Sequence, residues 1–472
     1  MINETVGRRC KLCKVSEEEH ARFSEKAISM IKNVVVDIND SELDSILVWL
    51  QIINIRSSIG KHQEEQTIAH RSSVRYEKLA ENLIDFLSKT EVSEYINERN
   101  WLIKILESFD HKNDYYDHSL EIKEEYLSEI ISTIRSKFGT DFSQDLELYA
   151  SLRQHLSALM KRGKLGIFSK NPISHQVKAY FPLPYEMAVE AAVVIYEKTG
   201  VLINDDEISY LAVYFHLASE RKKEKIQPKN ILVVCPSGNS ISQLMIHNIT
   251  QKFGDFISGI RACGLSDLNK TDFNDFDYVF SSIPIEKNVP IPVIYIPLEL
   301  KENDAESVKN YLQGEDSGYS LKDLITCDRF FTDLYSEDSE TAIHQIIQNL
   351  RNSLMLSDKF EASVLERERM FTTEIDNAIA FPHPLAPYSD VTFMSLTILK
   401  RPITWNRKSV QIIFLGSVAK EEGDQMKKFY REFSAFVTSP SYISEMISIP
   451  EYDTFQKIAT EIENKHFENN KH

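Results

Sequence analysis

Ile231-Leu-Val-Val-Cys235-Pro-Ser-Gly-Asn-Ser-Ile-Ser242 is an apolar run that ends on a cysteine and opens into a loop of small polar residues. A short β-branched run of this kind reads as a buried parallel strand, and the residues after it follow a helical pattern. Cys235 is therefore expected at a strand end, facing the outward N–H groups of a helix N-terminus. Such amides suit an anion, and they lower a thiol pKa from about 8.5 into the range of about 3.5–7.5. Ser237, Gly238, Asn239, Ser240 and Ser242 make up that small polar loop, whose amides would bind an anion. A strand-end cysteine also serves simply as a small buried apolar residue, so the reading rests on the loop's composition. Further strands over 277–283 and 293–296, with a helical stretch near 304–312, complete a small flavodoxin-like unit.

The second informative stretch is Ile379-Ala-Phe-Pro-His383-Pro384. Proline fixes the approach of the chain and removes a competing N–H, which predicts an exposed, directed imidazole. A neutral ring nitrogen is an able phosphoryl acceptor near neutral pH. Taken alone, a histidine in a Pro-rich turn is an ordinary surface residue. Here Glu366-Arg-Glu-Arg369 and Thr372-Thr373 precede it, and strand-like runs over 391–399 and 410–415 follow.

From about residue 16 to 225 the apolar spacing is helical throughout. Two pairs of segments superpose. Residues 49–56 match 155–162 at an offset of 106, and residues 98–105 match 207–214 at an offset of 109. Near-equal offsets for separated matches indicate a duplicated helical domain. In the second copy Gly200 reads as a helix stop, and Asn204-Asp-Asp-Glu207 as a helix start with a capping box. Leu152, His155, Leu156 and Leu159 share one face, with His155 at the edge of the apolar stripe.

These segments resemble modules of the bacterial sugar phosphotransferase system (PTS). The Cys235 loop resembles the phosphocysteine loop of enzyme IIB (EIIB) domains, in the galactitol-like version carried by transcription activators. The region around His383 is similar to enzyme IIA (EIIA) domains of the mannitol/fructose class, whose phosphohistidine lies in an apolar-Pro-His turn. Leu-x-x-His155-Leu, Arg162, Asn171-Pro172, Glu207-Ile-x-Tyr210 and Glu220-Arg221 resemble the regulation domains, called PRDs, of sugar-system antiterminators and activators. The chain as a whole resembles the regulatory portion of modular activators of sugar operons, such as the mannitol- and licheninan-operon regulators.

The resemblance implies a multidomain chain. An N-terminal segment (1–15) would precede two all-α PRD-like bundles (16–112 and 113–225), an α/β flavodoxin-like EIIB-type domain (226–314) and an α/β EIIA-type domain (315–472). It implies phosphohistidines at His383 and His155 and a phosphocysteine at Cys235. An HPr-like phosphocarrier and PTS permease EIIA/EIIB domains would be the partners, and the helical half would form a homodimer. DNA would be bound only through an N-terminal domain that this chain lacks, whether omitted or supplied by a partner. The role expected is a phosphoacceptor regulator of a carbohydrate operon rather than an enzyme. A phosphotransferase component, or a virulence-type regulator with decayed sites, are the alternatives.

Two departures accompany the resemblance. EIIA domains of this class usually carry a second histidine after the later strand, whereas residues 419–425 have none, and no histidine lies between His383 and His466. Trp49, Ile105 and Tyr214 occupy three of four PRD acceptor positions, leaving His155; His216, two residues past Tyr214, is turned about 200° around an ideal helix.

Composition bounds the rest. At 472 residues the chain exceeds the roughly 250–300 of a single core. A net charge of −17 makes it a poor nucleic-acid binder by itself. No stretch approaches the roughly 18 uninterrupted apolar residues of a membrane helix, so no membrane partner and a cytoplasmic location are expected. Cys10-Lys-Leu-Cys13 has the spacing of half a zinc site, but a second pair does not follow, so neither metal nor cofactor is expected.

Overall fold

The computed structural model describes residues 17–35, 38, 40–58, 74–87, 96–109, 122–223, 228–235, 239–285, 289–298, 305, 308–309, 311–312, 318–376, 378–420 and 422–468. Cys10, Cys13, Ser237 and Gly238 lie outside the described residues. The chain forms two compact units. The first comprises residues 1–133, 142–174 and 188–214, and the second residues 134–141, 175–187 and 215–472. Among the described residues no helix is long and apolar enough to cross a membrane.

The helical half contains α1 (Glu17–Lys32), α2 (Asp40–Ser58), α3 (Val74–Leu87), α4 (Ile96–Ser108), α5 (Glu124–Phe138), α6 (Leu146–Lys164), α7 (Ser174–Tyr180), α8 (Pro182–Thr199) and α9 (Asp205–Lys223). Apolar pairs four residues apart, Ile46/Leu50, Leu79/Leu83 and Leu102/Leu106, give α2, α3 and α4 one buried stripe each, and these meet in a single core. Two helices that the sequence offsets pair have one length: α2 and α6 are both 19 residues long. Positions paired by those offsets also make ring contacts, Trp49 edge-on to Trp101 at 4.4 Å and His155 beside Tyr210 at 5.8 Å. Local signals set the boundaries. The Asp145 side chain accepts the Leu148 N–H at the start of α6, and Gly200, at φ +71°, terminates α8 in a conformation that favours glycine.

In the second unit, β1 (Lys229–Val234), α10 (Asn239–Phe253), β2 (Ile257–Cys263), β3 (Tyr278–Ser281) and β4 (Val293–Tyr295) form a parallel sheet in the order β2-β1-β3-β4. The strand over 231–234 is buried on both faces, as its unbroken apolar sequence requires. It stops one residue before Cys235.

The C-terminal part begins with α11 (Leu321–Leu324), β5 (Phe330–Leu334), α12 (Ser339–Leu350), α13 (Asp358–Met370), β6 (Glu374–Ile375) and β7 (Ile379–Ala380). It continues with β8 (Phe393–Thr404), β9 (Ser409–Ser417), α14 (Lys427–Val437), α15 (Pro440–Ser448) and α16 (Tyr452–Glu468). The sheet order is β5-β8-β9-β7-β6, with β8 and β9 antiparallel and β7 parallel to β9. Alternation along β9 explains its two helical layers. Ile412 and Phe414 face Phe429, Phe433 and Phe436 of α14, while Ile413 and Leu415 face Ile343, Ile346 and Phe360 of α12 and α13.

One carboxylate is buried in this framework at a cost. Glu432 on α14 is 1% exposed and accepts the Leu321 N–H at 2.8 Å. Burial pushes its carboxyl up to about 7, against the opposing pull of the Leu321 N–H and Lys428. The folded state therefore holds a proton that the unfolded chain has released, and stability falls as pH rises from about 4.5 through about 7. Glu432→Gln is expected to raise the urea midpoint of this domain near about pH 8 and to leave it unchanged near about pH 4. Equal midpoint shifts at both pH values would contradict the burial argument.

Candidate functional site

His383 follows β7 in a loop pinned on several sides. The Phe381 N–H donates to Thr373 O at 3.1 Å, the Gly416 N–H to Pro382 O at 3.4 Å, and the Leu385 N–H to Ser363 Oγ at 3.0 Å. The Phe381 ring is buried against Phe433, with centroids 4.9 Å apart. The imidazole has two partners: Nδ1 lies 2.9 Å from Phe381 O, and Nε2 lies 2.9 Å from Glu186 Oε2. Carbonyl and carboxylate oxygens both accept, so both ring nitrogens must donate. A ring that makes both bonds at once has no free lone pair.

The expectation of an exposed, directed imidazole is thus corrected. The side chain is 18% exposed, because Pro382 and Pro384 shape the backbone but do not determine what packs over the ring. The covering group is Glu186, in the first turns of α8. Its Oε2 also meets Arg367 Nη2 at 3.2 Å. Burial pushes the Glu186 carboxyl up, but the charges of His383 and Arg367 outweigh it and hold the group at about 2. Arg367 is 1% exposed; burial would lower its pKa, and Glu186 more than reverses that. Its Nη1 donates to Phe371 O. Around this triad, Lys178 Nζ donates to Thr372 O, Ser434 Oγ to Ala179 O at 3.0 Å, and Lys137 Nζ to Leu385 O at 2.9 Å. The Lys137 backbone lies so close to Gly423 that a Cβ there would not fit.

The segment that would carry a second histidine is occupied by structural bonds. The Ala419 N–H donates to Thr392 Oγ1 at 2.9 Å, and Glu422 accepts from the hydroxyls of Tyr319 and Thr392.

His155 sits in a second buried network. Its Nε2 is 3.1 Å from Glu207 Oε2, while Glu207 Oε1 accepts from Arg162 Nη2 and the Ser169 N–H, each at 2.9 Å. Glu207 and Arg162 are fully buried, and His155 is 9% exposed. Nε2 of His155 is therefore the donating nitrogen. The rings of Tyr210 and Tyr214 flank it at 5.8 and 5.5 Å. The capping-box expectation holds by half: Asn204 Oδ1 accepts the Glu207 N–H, but the Glu207 side chain turns inward to Arg162 rather than back to the cap. His216 stacks on Phe181, with centroids 3.9 Å apart.

Cys235 is 2% exposed, and its Sγ receives the Ser282 hydroxyl at 3.7 Å. Ser240 is exposed and Ser242 buried in the first turns of α10; Asn239 opens that helix. His383, His155 and Cys235 each have separate partners, with none shared in the bonds described above. Among the described residues no cluster of His, Cys, Asp and Glu is arranged to hold a metal ion. Arg367 and Glu207 fall inside motifs quoted above without being singled out as site residues. Glu186 lies in Pro182-Leu-Pro-Tyr-Glu-Met187, where nothing local marks it.

Comparison with known proteins matches two stretches of the chain to families. Residues 323–462 match the family described as "Phosphoenolpyruvate-dependent sugar phosphotransferase system, EIIA 2", and residues 128–218 match the PRD domain. The chain is 29% identical over 332 residues to the "Probable licABCH operon regulator" of Bacillus subtilis (strain 168), covering 70% of this chain and 51% of that one. It is 23% identical over 339 residues to "Transcriptional regulator ManR" of the same organism, covering 70% and 52%. A shorter match, 24% over 140 residues, reaches "Transcription antiterminator LicT", covering 30% of this chain and 48% of that one. The crystal structure of mannitol IIA from Escherichia coli is 12% identical, covering 28% of this chain and 97% of that one, at a TM-score of 0.25. The chain spans about half the length of the first two regulators. The chain thus carries a stretch matching the PRD domain followed by one matching the EIIA type 2 family, and over 70% of its length it is similar to these two regulators.

Proposed function

We propose that this chain is the regulatory part of a PTS-responsive transcriptional regulator of a carbohydrate operon, switched by phosphorylation. The observation that carries the reading is the His383 imidazole, fixed through Nδ1 to Phe381 O, in a domain of the EIIA family that shares its chain with a PRD domain. With Nδ1 held by that carbonyl, Nε2 is the nitrogen that would react once its bond to Glu186 is released. Its lone pair would attack phosphorus, and the bond to the donor's nitrogen would break with the electron pair staying on the donor. Arg367 is near enough to neutralise part of the incoming charge.

The finer assignments belong to the same reading. His155 would accept phosphate more slowly, because its side chain is 10% exposed against 18% for that of His383. Cys235 would be the phosphocysteine of an EIIB-like module, with Ser237, Gly238, Asn239, Ser240 and Ser242 as its loop, and would take phosphate from a cognate permease domain. An HPr-like carrier would supply the histidines. A phosphoryl group adds about 1.5–2 negative charges near neutral pH, enough to rearrange a contact or a helical dimer interface.

Incubation with phosphoenolpyruvate and the general PTS proteins is expected to place acid-labile phosphate on the chain. His383→Ala is expected to remove most of it. If the triple replacement of His155, Cys235 and His383 leaves labelling unchanged, the relay assignment is wrong; if the intact chain never labels, its sites are decayed.

A further inference from the structure

The residues that cover His383 come from the chain's own PRD-matched stretch, residues 128–218. Glu186 contacts Nε2 itself. Lys178 and Ala179 hold the flanking backbone and helix α14, while Lys137 reaches Leu385, two residues past the histidine, and its backbone closes on Gly423. These contacts occupy the ground from which a phosphoryl donor has to approach. The chemistry is equally obstructive: with acceptors at both nitrogens, Nε2 holds a proton where an attacking lone pair is needed.

We propose that Glu186 is an internal latch on His383. Phosphoryl transfer requires withdrawal of the 175–187 segment, and the phosphorylated ring then keeps the segment off by repelling Glu186 and taking over Arg367. This rests on His383 being the acceptor. In the transfer the Nε2 proton leaves to solvent as Glu186 withdraws. The freed lone pair then attacks phosphorus, and the donor's nitrogen departs with the electrons of the broken N–P bond. Arg367, too deeply buried to follow the retreating carboxylate, remains to pair with the phosphoryl oxygens. The state of the EIIA-type site is thereby read directly by helix α8, which begins at Pro182 and carries Glu186 in its second turn. The opposite role for Glu186, a base that promotes transfer, makes the opposite prediction.

The test uses the full chain and two small reagents that need no protein partner. Diethyl pyrocarbonate acylates unprotonated, accessible imidazoles, and modification of the His383 peptide is followed by mass spectrometry. Glu186→Gln is expected to accelerate it about tenfold, the factor that loss of a charge-assisted bond at the reacting nitrogen brings. Potassium phosphoramidate, which transfers phosphoryl to histidine with release of ammonia, is expected to label the variant faster by a similar factor. In the wild-type chain, phosphoramidate treatment is expected to speed amide hydrogen exchange across 175–187, an effect absent in His383→Ala. This measurement stands even if the Glu186 variant folds poorly. Unchanged or slower modification of Glu186→Gln overturns the latch, as does unchanged exchange in a phosphorylated wild-type chain. Faster acylation of the variant with no phosphate on either chain supports the latch while defeating the assignment of His383 as acceptor.

Discussion

Glu207→Ala is expected to destabilise the helical unit by about 3–5 kcal/mol, the cost of breaking a buried ion pair by removing one partner. Glu207 is fully buried and serves three donors at once: Arg162, the Ser169 N–H and His155. Its loss leaves the Arg162 guanidinium, also fully buried, without its carboxylate, and orphans a backbone N–H. Urea unfolding followed by far-UV circular dichroism measures the change. A loss below about 1 kcal/mol would mean that the network behaves like an exposed surface pair. Acid supplies an independent check. Burial pushes the Glu207 carboxyl up, but Arg162 and His155 prevail and hold it at about 2. A pKa lower in the folded than in the unfolded chain gives stability that is complete above the unfolded value and drains away as pH falls from about 4.5 toward about 2. Glu207→Gln is expected to flatten that acid limb.

Arg367→Met is expected to cost the C-terminal domain a similar amount, about 3–5 kcal/mol. The arginine is buried, it neutralises Glu186, and it donates to the carbonyl that closes α13. Its removal takes from the Glu186 carboxylate one of the charges that hold its pKa low. Combining Arg367→Met with Glu186→Gln is expected to cost less than the sum of the two single changes, by about 0.5–3 kcal/mol, because the second change removes the charge that the first one strands. A cycle that closes additively, within about 0.5 kcal/mol, would show that the two groups act independently.

Much of this arrangement was legible in the sequence because it is locally encoded. The helical periodicity, the Gly200 stop, the Asn204 cap and the strand ending before Cys235 all depend on residues within one or two turns of each other. The Pro-His turn was equally plain. What escaped was decided by distant partners. Glu207 carries a spacing that serves a capping box or a buried ion pair, and the choice is made by Arg162, 45 residues earlier on another helix. Glu186 meets His383 across 197 residues, and its neighbours give no periodic or compositional hint of that meeting. A histidine's accessibility is likewise a property of what folds over it, which the prolines beside it do not encode.

The origin of the group that covers His383 bears on how the protein is taken apart. A fragment cut to the EIIA-type domain alone, beginning near Gly318, would keep the imidazole, Phe381 and Arg367 but leave Glu186 and Lys178 behind. Its histidine would meet reagents and carriers bare. Rates measured on such a fragment would describe a site without Glu186 over it, and the release of the proposed latch would be invisible in them.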